Sequence, residues 1–211
     1  LQLHFFCTGN IEGQSSKYDM FLESVSGLCP FLSHVNRTTW SNGRVPENLP
    51  VNTITTVTNF VVHHQAGTAN PPYDAVVYDI WVYHTTPPPN GNGWSDIGYN
   101  WLIAPDGVLY KGCAWNGTND NVIGAHMCAC NSNKIGVCLL GNFTSSIPTP
   151  AAYNTLVQLL ALKGCSFNVN PTSSSSTFYN PNNTGCVTGT LLNIIGHREG
   201  CRQSPLYTTC P

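Results

Sequence analysis

A chain of 211 residues with 41% hydrophobic side chains can bury one sizeable core and does not require a second full domain. Only 9% of residues are charged and the formal net charge is -2, so there is no basic field to gather phosphates and no polybasic patch for a membrane. Neither nucleic acid nor a membrane is an expected partner, and a monomer is expected.

Ten cysteines without a Cys-x-x-Cys pair point to disulfides in an oxidising compartment. Sequons at Asn36, Asn116, Asn142 and Asn182 agree with export. The segment Leu1 to Cys7 is too short for the apolar region of an export signal, and no apolar run reaches about 18 residues. The expectation is a secreted or periplasmic protein whose export signal has been removed.

In chain order, residues 1–34 carry Cys7 and Cys29 and read as a cysteine-containing extension packed on a core domain of residues 35–211. Thr56 to His63 is rich in β-branched residues and reads as a buried strand that delivers His63 at its C-terminal end. Val76, Val77, Ile80, Trp81 and His84 recur at helical spacing, which predicts a helix over 73–85 stopped by Pro87-Pro88-Pro89. Pro105-Asp106-Gly107 between two apolar runs predicts a hairpin, and Ile135 to Leu140 a further buried strand. Thr149-Pro150 supplies an N-cap and a proline at the first helical position, with Gly164 as the C-terminal stop. The Ser/Thr run 172–177 reads as a low-complexity loop, and Leu191 to Ile195 as the strand that delivers His197. Interleaved strands and helices give the expected fold class: α/β, a central mixed β-sheet flanked by helices and stabilised by disulfides.

His63 at a strand end, His197 after another strand and a late cysteine are zinc-competent side chains from distant points of the chain. Such a set leaves a coordination position for water, the pattern of a catalytic rather than a structural metal.

Further blocks carry a resemblance. Phe60-Val61-Val62-His63-His64, Trp94-Ser95-Asp96-Ile97-Gly98-Tyr99-Asn100-Trp101, Asp106-Gly107-Val108-Leu109-Tyr110-Lys111-Gly112, Ile123-Gly124-Ala125-His126, Ile135 to Phe143, Pro148-Thr149-Pro150 and Gly196-His197-Arg198 occur in this order. Together they resemble the type 2 N-acetylmuramoyl-L-alanine amidases and the peptidoglycan recognition proteins over about residues 35 to 211. The resemblance implies Zn2+ held by His63, His197 and Cys210, with Tyr99 and Thr208 beside it as catalytic groups. It implies hydrolysis of the amide between the lactyl group of the glycan and L-alanine of the stem peptide, with bacterial peptidoglycan or muropeptides as partner. The alternative is a member that binds muropeptides without cutting them; retention of Cys210 and Tyr99 favours the enzyme.

The sequence departs from the family in the distance from His197 to Cys210, which is 210 - 197 = 13 positions where the family usually has eight. An insertion around 202–207 accounts for it, because Thr208-Thr209-Cys210-Pro211 then matches the family's Thr-x-Cys-Pro. Cys201 is the competing ligand and is preferred as a disulfide partner. The preferred pairs are Cys7 with Cys29, Cys128 with Cys138, and Cys165 with Cys186, which leaves Cys113, Cys130 and Cys201 unassigned.

Candidate substrate contacts are His64, His84, Trp94, Trp115, Asn116 and His126. His126 is either a groove residue or a satisfied structural histidine, and for His84, on an apolar helix face, the structural role is preferred. Trp94 and Trp115 either stack on sugar rings or fill core space, and Trp101 is expected in the core.

Overall fold

The computed structural model describes residues 32–180 and 185–201. Its elements run α1 (Arg37–Trp40), β1 (Asn59–His64), α2 (Tyr73–Thr85), β2 (Trp101–Ile103), β3 (Leu109–Lys111), β4 (Lys134–Leu139), α3 (Pro150–Phe167), β5 (Ser174–Tyr179), β6 (Val187–Leu192), β7 (Ile194–Gly196) and α4 (His197–Gly200). A five-stranded sheet has the order β3-β2-β4-β1-β7, and β5 pairs with β6 in a separate ribbon. Within the main sheet β2, β4, β1 and β7 are parallel and only the edge strand β3 is antiparallel, so the sheet is mixed, as the sequence leads one to expect.

Strand alternation divides the core between the two faces of the sheet. On one face Phe60, Ile103, Ile135 and Val137 pack against Leu156, Leu159 and Leu160 of α3. On the other, Leu102, Cys138 and Leu140 pack against Val77 and Ile80 of α2. Among the described residues no helix is long and apolar enough to cross a membrane.

Thr149 caps α3: its Oγ1 accepts from the Ala152 backbone N–H at 3.1 Å and donates to the Pro105 carbonyl. One side chain thereby satisfies an orphan donor of the helix and ties its start to the β2–β3 turn. Thr149→Ala is expected to cost about 1 kcal/mol, read as a lower denaturant midpoint at constant slope.

The structure corrects several sequence-based expectations. Gly164 lies inside α3, and the helix ends at Asn168, whose φ of 53° puts it in the left-handed region. Asn168 and Val169 N–H groups close the terminus on the Cys165 and Gly164 carbonyls. The Ser/Thr run is a strand, not a loop: Ser174 to Tyr179 pairs antiparallel with Val187 to Leu192. The strand expected over 191–195 divides at Asn193 between β6 and β7.

Cys128 bonds Cys201 and Cys130 bonds Cys186, so the expected Cys128–Cys138 and Cys165–Cys186 pairs do not form. Cys138 points into the core under α2, whereas Cys128 and Cys201 share a cluster with Val61, Met127 and Ile195. The preference for Cys201 as a disulfide partner holds. Cys7, Cys29, Thr208 and Cys210 lie outside the described residues.

Candidate active site

Two neighbouring strands set the centre. β1 carries His63, and β7 pairs with it in parallel with Val62 opposite Gly196, so His197, the next residue, opens α4 beside His63. Phe60 packs toward α3, and residues at odd spacing from it point to the opposite face. His63 therefore faces away from α3, and its ring centroid lies 4.5 Å from that of His197.

His126 completes a group of three imidazoles. Its Nδ1 is 3.1 Å from His63 Nε2, so one ring donates to the other. Asn131 holds the loop beneath it, its Oδ1 accepting from the His126 and Met127 N–H groups at 2.8 Å each. The ring lies over Gly136 of β4, where an added Cβ would stand 2.5 Å from His126 Cγ. Gly136→Ala is expected to force the ring from its place and to weaken metal binding while the chain still folds; metal titration with circular dichroism as a control checks this.

Tyr99 and His84 form the adjoining side. The Tyr99 ring is 5.3 Å from His63 and 5.6 Å from His84, and His84 is 4.7 Å from Trp94. His84 Nδ1 accepts from the Gly98 N–H at 3.0 Å, so this helix residue pins the loop that carries Tyr99. From the other side the Tyr99 carbonyl accepts from the Cys113 N–H at 2.8 Å and the Cys113 thiol at 3.1 Å. Burial, with Asp96 nearby, pushes that thiol up to about 12, so it stays protonated and donates.

Asp96 anchors the same loop. Its Oδ1 accepts from Arg37 Nη2 at 2.9 Å, Trp81 Nε1 at 3.1 Å and the Ile97 N–H at 2.8 Å, and its Oδ2 from the Ala114 N–H at 2.8 Å. The Arg37 side chain is wholly buried and also donates to the Pro46 and Gly112 carbonyls.

Of the expected site residues, the structure thus groups His63, Tyr99, His84, Trp94, His126 and His197. His64 is turned to the α3 side, where its Nδ1 accepts from the Phe143 N–H at 2.8 Å. Trp115 meets Trp101 edge-on and lies tilted beside His34 with Lys111 Nζ 4.2 Å from its ring, and Asn116 donates to the Val51 carbonyl in an exposed turn. Trp101 is in the core, as expected. Cys128 was not foreseen at the site: its Sγ lies 3.8 Å from His197 Nε2, a contact with no local signal because 69 positions separate the two residues.

Electrostatics favour neutral imidazoles. Burial, reinforced by its histidine neighbours, holds His63 well below the usual range. Burial lowers His126 to about 3 and His197 to about 4, each helped by a nearby cation-forming group, and lowers His84 to about 4 against the pull of Asp96. Neutral imidazole is the form that binds a metal. His126 Nε2 is buried with no hydrogen-bond partner among the described residues. The adjacent neutral imidazoles of His63 and His197 fit a zinc ion by the chemistry of the donor set.

The sequence model of a family described as N-acetylmuramoyl-L-alanine amidase matches residues 53–211. Peptidoglycan-recognition protein SC2 of Drosophila melanogaster is 38% identical over 107 residues, 49% of this chain and 50% of that protein. The chain thus spans about half the length of this curated relative. Human N-acetylmuramoyl-L-alanine amidase is 41% identical over 64 residues, 30% of this chain and 10% of that protein. Among solved structures, human PGRP-IBETAC in complex with glycosamyl muramyl pentapeptide superposes with a TM-score of 0.58 at 21% identity, covering 79% of this chain and 84% of that one. At this identity the likeness shows the fold.

Proposed function

Since this chain belongs to the N-acetylmuramoyl-L-alanine amidase family, we propose that it is a secreted, zinc-dependent amidase that hydrolyses the amide between lactyl group and L-alanine in bacterial peptidoglycan. The observation that carries this reading is the grouping of His63, His197, His126 and Tyr99 on one sheet face, with ring separations from His63 of 4.5, 5.1 and 5.3 Å respectively. A muramyl pentapeptide is the ligand named for a protein of the same fold, and it contains the class of bond to be cut.

His63 and His197 would hold the ion, with Cys210 as the third ligand and Thr208 as a second catalytic group. When bound, zinc supplies the Lewis-acid chemistry that activates water at neutral pH and polarises an amide carbonyl. Two neutral imidazoles and one thiolate would leave such an ion a net positive charge and room for water. His126 donates to or accepts from His63 and so fixes the ring plane of that ligand. Tyr99, held by its carbonyl on Cys113 and by the loop pinned at His84, presents its hydroxyl to the oxygen on which charge develops as the carbonyl is attacked. Trp94, 38% exposed beside His84, offers a face to the sugar or the stem peptide.

Incubation of the zinc-loaded protein with purified sacculi tests the proposal. New L-alanine amino termini are expected, abolished by chelation and restored by zinc. Retention on the sacculi without new amino termini would reject the enzyme in favour of a binding-only protein. Tyr99→Phe is expected to lower kcat by about 10²–10³-fold with zinc content unchanged.

A further inference from the structure

We propose that Cys128, Cys201 and His197 form a redox-gated site for a thiophilic divalent metal, closed by the disulfide and opened by a dithiol reductant. The inference goes beyond amide hydrolysis, since neither Cys210 nor substrate enters it, but it shares His197 with the proposed amidase centre, so the two metal sites exclude one another. The Cys128 and Cys201 sulfurs and a nitrogen of His197 lie within 4.8 Å of one another. Zinc bonds of about 2.3 Å to sulfur and about 2.0–2.1 Å to nitrogen at a tetrahedral angle put the two donors about 3.6 Å apart. Cys128 Sγ and His197 Nε2 are already 3.8 Å apart. The Cα atoms of the cysteines are 6.1 Å apart, so side-chain rotation alone separates the sulfurs to the edge of a tetrahedron.

The backbone aims these groups. Cys128 and Ala129 are consecutive non-glycine residues at φ 44° and 66°, a conformation that costs energy and holds the Cys128 side chain toward α4. Cys201 caps α4, its N–H on the His197 carbonyl at 2.9 Å, so ligand and cysteine lie on one short turn. Cys128 and His197 are half-buried, which leaves the sulfur open to attack.

The chemistry balances. A dithiol attacks the Cys128–Cys201 bond, its own two sulfurs become a disulfide, and the protein gains two thiols. A divalent metal then displaces both thiol protons and takes His197 as the third donor. His63 stands beside His197 at 4.5 Å, so the reduced set approaches the Cys2His2 composition of closed, structural zinc sites.

Cobalt(II) binding tests this, read by thiolate-to-cobalt charge-transfer absorption. The Cys210→Ser variant removes the thiolate assigned to the amidase centre. In that variant the oxidised protein should show no such band, and the protein reduced with dithiothreitol and desalted without oxygen should gain one worth two thiolates per cobalt. Cys128→Ser with Cys201→Ser, in the same background, should abolish the gain. No band in the reduced Cys210→Ser protein, or a gain that survives the two further serines, would overturn the proposal. Failure of the amidase reading is distinct: it shows as no thiolate band in the oxidised wild-type protein.

Discussion

His63→Ala is expected to abolish zinc binding at neutral pH and with it hydrolysis, a loss of at least ~10³-fold in rate, whereas His64→Ala retains both. The two histidines are adjacent in sequence and point to opposite faces of β1. His63 meets His126, His197 and Tyr99, while His64 holds the Phe143 N–H under α3. Loss of His64 leaves that part-buried donor unpaired and should destabilise the fold by about 1 kcal/mol without touching the metal. Zinc content by mass spectrometry and a denaturant melt on both variants separate the two effects. Zinc lost from His64→Ala but kept by His63→Ala would reverse the assignment.

The second large effect is on stability. Asp96→Ala is expected to destabilise the protein by about 3–5 kcal/mol, because the wholly buried Arg37 guanidinium loses its one acidic partner among the described residues. The Trp81 Nε1–H and the Ile97 and Ala114 N–H groups lose their acceptor at the same time. Arg37→Met with Asp96→Leu should recover part of the loss, since two apolar residues of similar volume strand no charge. Equilibrium denaturation decides it, and a midpoint unchanged in Asp96→Ala would show that the pair contributes nothing. Activity should fall with the single change even below its melting range, because Asp96 lies three residues before Tyr99 and anchors its loop.

Much of this was legible in the sequence where local physics decides. β-branched content placed β1 and helical spacing α2, Pro105-Asp106-Gly107 placed the β2–β3 turn, and Thr149-Pro150 placed the start of α3. The Ser/Thr run misled because serine carries no apolar alternation; β5 exists through its ladder to β6, with Thr177 its buried residue. Gly164 read as a stop, yet the helix passes through it because Asn168 adopts the left-handed conformation instead. The disulfides were illegible for a different reason. Separations of 73 and 56 positions are set by how β7 and the β5–β6 ribbon return to the 126–130 loop, which spacing alone does not encode.

At the site, the strand ends announced His63 and His197, while the room for His126 shows only in the structure. Gly124 and Gly136 both approach its ring so closely that a Cβ would collide. The turning of His64 to the other face follows from strand alternation. The contact between Cys128 and His197 does not, since it depends on a loop in which two non-glycine residues take up positive φ.

On the proposed reading, hydrolysis depends on one zinc shared by His63, His197 and a single thiolate. X-ray absorption at the zinc edge, on the oxidised protein, measures this directly. The expected inner shell holds imidazole nitrogens at about 2.0–2.1 Å and one sulfur at about 2.3 Å. A shell without sulfur, or one with two sulfurs before any reductant is added, would contradict it.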